Sequence, residues 1–299
     1  VTLLDKKFKQ AWKENSFDIG LINRIEKLPK ISFGNWVGGD RDGHPLVTAS
    51  VTRETLLEFR ETALNLVYQR LFTLASRLSL SENLHSVPKK LLHFIEEWSL
   101  QLGDIGQNCI TRNPNEPWRQ FINILLVRIP LSSVGNKEES FSYTNHFELL
   151  KDLAILRDSL LEVDGFRIVE YEIFGIERMI QTFGFHLAAV DIRQNSEFHD
   201  RALVGLMKAS GSRNIHFADW NEFERLQFLN SELTSARPFL APGMPLEGEA
   251  EAVRDCYLVV AEYVKKYGTS GIGSLIVSMT RKLSDLLVVY LFAREAGLV

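Results

Sequence analysis

Two short, almost uninterrupted apolar runs constrain the fold of this chain more than any other feature. They are Phe185-His186-Leu187-Ala188-Ala189-Val190-Asp191-Ile192 and Ile272-Gly273-Ser274-Leu275-Ile276-Val277-Ser278-Met279. Gly184 precedes the first, Gly268 and Gly271 precede the second, and a helical pattern follows each, over 197–209 and 284–296. Runs of this length suit strands of a parallel sheet covered on both faces, since a half-covered strand would alternate apolar with polar residues. A third strand is expected over 31–37, entering a turn and then a long helix. Most of the rest is written in three- and four-residue apolar spacings. Helices are expected over 52–80, after Ser86 and Pro88, over 117–129 with a stop at Pro130, and over 145–162 and 167–183. Thr52, with Glu54 in the first turn, is the expected start of the longest. Residues 131–144 carry Ser, Asn, Glu and Gly135 without a period, which predicts an exposed loop. Strand-then-helix units parted by long helical inserts predict a parallel α/β architecture, predominantly α-helical.

Composition narrows the function classes. With 299 residues, 45% of them apolar, the chain can bury one large core or two small ones. A net charge of −4 gives no global pull toward nucleic acid or an anionic membrane. Cys109 and Cys256, the two cysteines, stand far apart and in no metal-ligand spacing. That argues against a disulfide framework and for a reducing, cytoplasmic setting. No apolar run approaches the roughly 18 residues that a membrane span needs, and no leader pattern opens the chain. Val1 and the closing Ala296-Gly297-Leu298-Val299, which follow a helix directly, read as cut ends of something longer.

Two segments carry the densest chemistry. Trp36-Val37-Gly38-Gly39-Asp40-Arg41-Asp42-Gly43-His44-Pro45 sets two glycines before two carboxylates that flank a guanidinium. It is either a structural turn stapled by Asp–Arg–Asp pairing or a loop whose backbone approaches a ligand. It is not a calcium loop, because Pro45 and Val51 occupy the places that need Gly and Glu. Asp191-Ile192-Arg193-Gln194 closes the first apolar run. Polar residues just past a strand's carboxyl end face the ligand crevice of parallel α/β folds, and an arginine there suits phosphate or carboxylate. The alternative is an Asp191–Arg193 pair that only closes a loop. His199 on the next helix fits capping or packing as well as chemistry. The Gly268-Thr269-Ser270-Gly271-Ile272-Gly273 stretch precedes a strand instead of following one, so it is no dinucleotide fingerprint.

In this order and combination the segments resemble the phosphoenolpyruvate carboxylases. The family pattern Phe-x-x-Trp-x-Gly-Gly-Asp-Arg-Asp-Gly-Asn-Pro-x-Val-Thr is matched over 33–48. The pattern Asp-Ile-Arg-Gln-x-Ser-x-x-His is matched by Asp191, Ile192, Arg193, Gln194, Ser196 and His199. Leu229, Glu232 and Leu233, then Arg237, Pro238 and Leu240, fit a third stretch, and 273–297 a fourth, through Ile276, Ser278, Met279, Ser284 and Asp285. The resemblance covers nearly the whole chain. It implies a largely helical enzyme round a (β/α)8 barrel, of which residues 1–299 would form a single segment supplying the second to fourth strands. The implied reaction joins phosphoenolpyruvate and bicarbonate, with Mg²⁺ or Mn²⁺, to give oxaloacetate and phosphate through carboxyphosphate and an enolate. Arg193 matches an arginine that contacts the anionic cluster, and Trp36 one that lines the pocket near the enol carbon. Gly39, Asp40, Arg41 and Asp42 match the loop that shapes the same mouth, with Asp191, Gln194 and His199 as supporting residues.

Departures from the pattern are His44 in place of Asn and Asn195 in place of a common Glu. The family's Thr-Ala-His-Pro-Thr segment with its essential His, its Phe-Glu-Thr strand and Ser-Asp-Ser-x-Lys-Asp loop with the metal carboxylates, and its Gly-Arg-Gly-Gly loop are absent from these residues. The segment alone is thus expected to bind no metal and to be inactive, and its open strand edges to favour a dimer. The complete enzyme is expected to be a cytoplasmic homotetramer that contacts neither nucleic acid nor membrane. Two other readings remain at this point: a non-catalytic helical scaffold or regulatory module of the same fold, and an unrelated phosphate-binding barrel enzyme.

Overall fold

A computed structural model of the chain describes residues 1–22, 25–131, 140–241 and 243–299. They form two compact units, one of residues Val1–Phe33 and Phe59–Leu187, the other of Gly34–Glu58 and Ala188–Val299.

The first unit is helical. It contains α1 (Thr2–Glu14), residues 59–77 of α2 (Ala49–Arg77), α3 (Lys89–Gln101), α4 (Asp104–Thr111), α5 (Pro117–Val127), α6 (His146–Leu161), α7 (Phe166–Ile168) and α8 (Phe174–Phe183). Proline sets two of the starts: Pro88 caps α3 in an extended conformation, and Pro117 opens α5, where a missing N–H is harmless. Leu71, Leu91, Phe121, Ile122, Leu125, Leu149, Leu153 and Leu156 meet in one core around Trp118, whose indole N–H donates to Ser159 Oγ at 3.1 Å. The start of α2 differs from expectation. The helix begins three residues before Thr52, and Thr52 is buried inside it, donating its hydroxyl to the carbonyl of Gly38 at 2.7 Å. The helix expected over 167–183 is interrupted by a π-helical segment, Val169–Ile173, between α7 and α8. Through it Ile168 and Ile173, five residues apart and too widely spaced for one face of an α-helix, both reach the same core.

Most of the expected loop over 131–144 falls on 132–139, which lie outside the described residues. Its far end is fixed. Tyr143 is buried, and its hydroxyl donates to Asp152 Oδ2 at 2.8 Å. The Arg128 guanidinium lies 3.4 Å from the Trp98 ring centre and 4.0 Å from that of Tyr143, and pairs with Asp152 at 2.5 Å.

The second unit holds β1 (Gly34–Asn35), β2 (Ala189–Asn195) and β3 (Ile272–Ser278) with residues 49–58 of α2 and with α9 (Ser196–Ala209), α10 (Glu222–Thr234), α11 (Gly248–Tyr267) and α12 (Leu283–Glu295). The three strands are parallel in the order β1-β2-β3; β2 and β3 end side by side, with Asn195 beside Ser278, while β1 ends earlier, with Asn35 beside Val190 near the start of β2. Ala202, Leu203, Leu206, Val253, Tyr257, Val288, Leu291 and Phe292 from α9, α11 and α12 form its core. This is the expected α/β arrangement, predominantly helical with a partial parallel sheet.

The strands themselves sit differently from expectation. Residues 185–188 do not extend β2; they close α8, with Gly184 and Leu187 at positive φ and the Leu187 amide donating back to Phe183. The strand instead runs on through Asn195, because Arg193 pairs with Ile276 of β3 on one side and Asp40 on the other. Along β2, Val190, Ile192 and Gln194 are buried while Asp191, Arg193 and Asn195 are only partly so. In β3, Gly273, Ser274 and Leu275 stand exposed, so cover on both faces is not general. The strand expected over 31–37 shrinks to β1, since the chain turns at once through Gly38 and Gly39.

Candidate anion-binding site

Residues 36–43 form an arch at the carboxyl end of β1. The carbonyl of Trp36 accepts from the amides of Gly39 and Asp40 at 3.0 and 2.9 Å, which closes the turn. Glycine is required twice. Gly38 has φ +80°, and a Cβ on Gly39 would stand 2.1 Å from the Asp191 carbonyl oxygen, a clash that pure backbone cannot relieve. That close approach lets the arch lie on β2: Arg193 N donates to Gly39 O and Arg41 N to Arg193 O, both at 2.9 Å.

The arch thereby carries two carboxylates to one guanidinium. Arg193 Nη2 donates to Asp42 Oδ2 at 3.3 Å, and Nη1 lies 3.7 Å from Asp40 Oδ2. The Trp36 ring, over half exposed, is centred 5.6 Å from the guanidinium carbon. Ser278, at the end of β3, donates its hydroxyl to the same Asp42 oxygen at 2.6 Å. Asp42's own amide donates to Asp40 Oδ1 at 3.1 Å. Trp36, Gly39, Asp40, Asp42 and Arg193 therefore converge, and the Arg193 side chain keeps 31% of its surface open to solvent.

Four expected site residues do not join them. Arg41 lines a cavity of about 10 Å³ with Gln194, His199, Cys256 and Tyr257, too small for more than about one water. Gln194 is buried and accepts from the Asn195 amide at 2.8 Å. Asp191 does not pair with Arg193. The register of β2 against β3 breaks between Val190 and Ile192, and Asp191 Oδ1 accepts from the Ser274 amide there at 2.8 Å. Asp–Arg–Asp pairing does occur, but Arg193 takes the place that adjacency assigns to Arg41. Sequence reasoning matched Ser278 to the fourth family stretch but did not place it at the site.

His199 is buried away from the Arg193 group. It is 3% exposed, with Nδ1 3.0 Å from the Asn195 carbonyl and Nε2 3.2 Å from the Tyr257 hydroxyl. The carbonyl only accepts, so the proton sits on Nδ1 and the Tyr257 hydroxyl donates to Nε2. Burial pushes its pKa down from 6.5 to about 4, helped by the Arg41 charge and opposed by the Asn195 bond. The unfolded chain takes up a proton near pH 6.5 that the fold refuses until about pH 4. Stability is therefore full above that window and falls as pH drops through it. His199→Gln is expected to remove part of the acid loss, on the order of 2–3 kcal/mol. Urea midpoints at pH 5 and 7.5 measure this, against the remaining slope from His186, whose pKa burial also lowers to about 4. An unchanged pH 5-to-7.5 difference in the variant would refute it.

The family model described as phosphoenolpyruvate carboxylase matches residues 4–299, nearly the entire chain. The chain belongs to the phosphoenolpyruvate carboxylase family. Its relatives bearing that name include proteins of Rhodopseudomonas palustris (strain BisA53), 31% identical over 280 residues, and of Picea abies, 32% identical over 298 residues. The matches cover 90% and 93% of this chain but 29% of each of those proteins. A phosphoenolpyruvate carboxylase of Glycine max is 32% identical over 304 residues, 93% of this chain and 30% of that protein. The chain thus spans less than a third of the length of these phosphoenolpyruvate carboxylases. Within the family motifs, the two departures have simple settings: His44 is exposed, and the Asn195 side chain caps α9 by accepting from the Glu197 amide at 2.8 Å.

Proposed function

We propose that this chain is a segment of an enzyme that carboxylates phosphoenolpyruvate with bicarbonate, giving oxaloacetate and phosphate, and that Arg193 binds the reacting anions. The observation that carries the reading is the part-exposed guanidinium of β2, fixed between the arch after β1 and the neighbouring strand β3, beside an exposed indole. Every reactant in this chemistry is an anion, and a planar guanidinium donates two parallel N–H bonds to a phosphate or carboxylate edge. In that role Arg193 holds the phosphate or carboxylate oxygens in place and opposes charge that builds up on them. Trp36 supplies an apolar wall that keeps water from the enol carbon.

The reading extends to an eight-stranded barrel with β1, β2 and β3 as three members, and to a cytoplasmic homotetramer that replenishes the tricarboxylic acid cycle. No helix among the described residues is long and apolar enough to cross a membrane. The implied Mg²⁺ or Mn²⁺ would polarise phosphate and enolate oxygens. The residues here do not fit it. Among the described residues no three of His, Cys, Asp and Glu gather as ligands, and Asp40 and Asp42 both face Arg193. No step is assigned to a metal held by this chain.

The test is a coupled assay with phosphoenolpyruvate, bicarbonate and Mg²⁺, reading oxaloacetate reduction. A full-length protein carrying this segment is expected to turn over, and the 299-residue chain alone to stay at background. A full-length protein without activity would favour the scaffold reading; turnover by the isolated chain would overturn the incomplete site.

A further inference from the structure

Asp42 belongs to a loop expected to meet substrate, yet its charge is wrong for that task. Phosphoenolpyruvate and bicarbonate are anions, and a carboxylate touching either would repel it. What Asp42 does touch is informative. Its Oδ2 receives Arg193 Nη2 at 3.3 Å and the Ser278 hydroxyl at 2.6 Å. Asp40 plays a different part: at 3.7 Å it only adds charge beside Nη1, while its Oδ1 fixes the Asp42 amide at 3.1 Å.

We propose that Asp42 and Ser278 are positioning residues for Arg193, with Ser278 fixing the carboxylate that in turn fixes the guanidinium. The inference rests on the reading of Arg193 as the anion-binding group. An arginine side chain left to itself samples many rotamers, and binding an anion would have to arrest them. Here one carboxylate oxygen, carried by the arch after β1, is shared by two donors from different strands, Arg193 of β2 and the last residue of β3. The register makes this possible, because Ser278 is paired with Asn195, two residues along from the Arg193–Ile276 pair. A guanidinium has five N–H donors, so a single bond to Asp42 leaves others for a ligand. The exposed Trp36 ring and the 31% open surface of Arg193 lie at the same group.

The experiment uses the full-length enzyme carrying Ser278→Ala, Ser278→Thr, Asp42→Asn and Arg193→Lys, with Ser278→Ala also combined with Arg193→Lys. The readouts are kcat/KM for phosphoenolpyruvate and the thermal midpoint. Ser278→Ala and Asp42→Asn are each expected to lower kcat/KM about tenfold, the effect of losing a hydrogen bond to a charged group. Threonine keeps the hydroxyl, so Ser278→Thr should return to within about twofold of the parent. In the Arg193→Lys background, Ser278→Ala should add less than about twofold, because both changes act through one side chain. Parental kinetics for Ser278→Ala beside an impaired Arg193→Lys overturns the positioning role. So do a threonine variant no better than alanine and losses that multiply in full. Parental kinetics for Arg193→Lys itself instead overturns the anion-binding reading on which the inference rests.

Discussion

Replacing Arg193 with lysine in the full-length enzyme is expected to lower kcat/KM for phosphoenolpyruvate at least tenfold while leaving the melting curve unchanged. Lysine keeps the charge but loses the planar fork, and a point charge on a flexible stem cannot hold two oxygens of one anion in register. A charge-assisted hydrogen bond to a ligand is worth about 1.5–3 kcal/mol, which is about ten- to 150-fold in catalytic efficiency. The backbone of Arg193 serves β2 through bonds to Gly39 and Arg41 that do not depend on the side chain, so the strand should persist. Kinetics near those of the parent, with a normal melt, would show the residue to be a structural clamp for the arch.

The second large effect lies far from any chemistry. Asp5→Ala is expected to destabilise the first unit by about 3–5 kcal/mol, the range seen when one member of a buried ion pair is removed. Arg178 is 1% exposed and Asp5 is 3% exposed. Their contact is bidentate, Nε to Oδ2 at 2.8 Å and Nη2 to Oδ1 at 3.0 Å. Asp5 is the buried residue of α1, whose Leu3 and Leu4 are exposed, so this pair ties the helix down where it is buried. Urea unfolding gives the loss, and limited proteolysis should cut first within residues 1–14. Asp5→Ala combined with Arg178→Met should recover part of the stability, since no unpaired charge then remains buried. A loss below about 1 kcal/mol for the single change would contradict the assignment.

Much of this was legible in the sequence, and the misses share a cause. Helices could be placed because their apolar period is local: α3, α5 and α6 lie within one or two residues of where Pro88, Pro117 and the leucine spacing put them. Strand limits could not, because a strand ends where its neighbours stop, and an apolar run does not say which part closes the preceding helix. Residues 185–188 went to that helix end, while Arg193, polar by composition, gained strand partners on both sides and Gln194 one in β3. The site divides in the same way. The motif singled out Trp36, Asp40, Asp42 and Arg193 individually. That Arg193, and not Arg41, sits between the two carboxylates depends on the Asp40–Arg193 bridge, a contact across more than a hundred residues. Ser278 stood in the fourth matched stretch, but its meeting with Asp42 depends on the register of β2 against β3.

The π-helical segment Val169–Ile173 also acts as a phase setting for the helix after it. Each residue of an α-helix advances the screw by about 100°, and a π turn holds one residue more than an α turn. The surplus residue thus dials α8 round by roughly a quarter of a revolution relative to α7. In that orientation Ile176, Glu177, Arg178 and Ile180 all turn inward, Glu177 to meet Arg157 at 2.8 Å and Arg178 to meet Asp5. One residue fewer would leave the composition almost untouched and present a different azimuth of α8 to the core, swinging both charged side chains away from their partners. The local irregularity is therefore what lets a helix carry two ionic groups into an apolar interior with their counterions already in line.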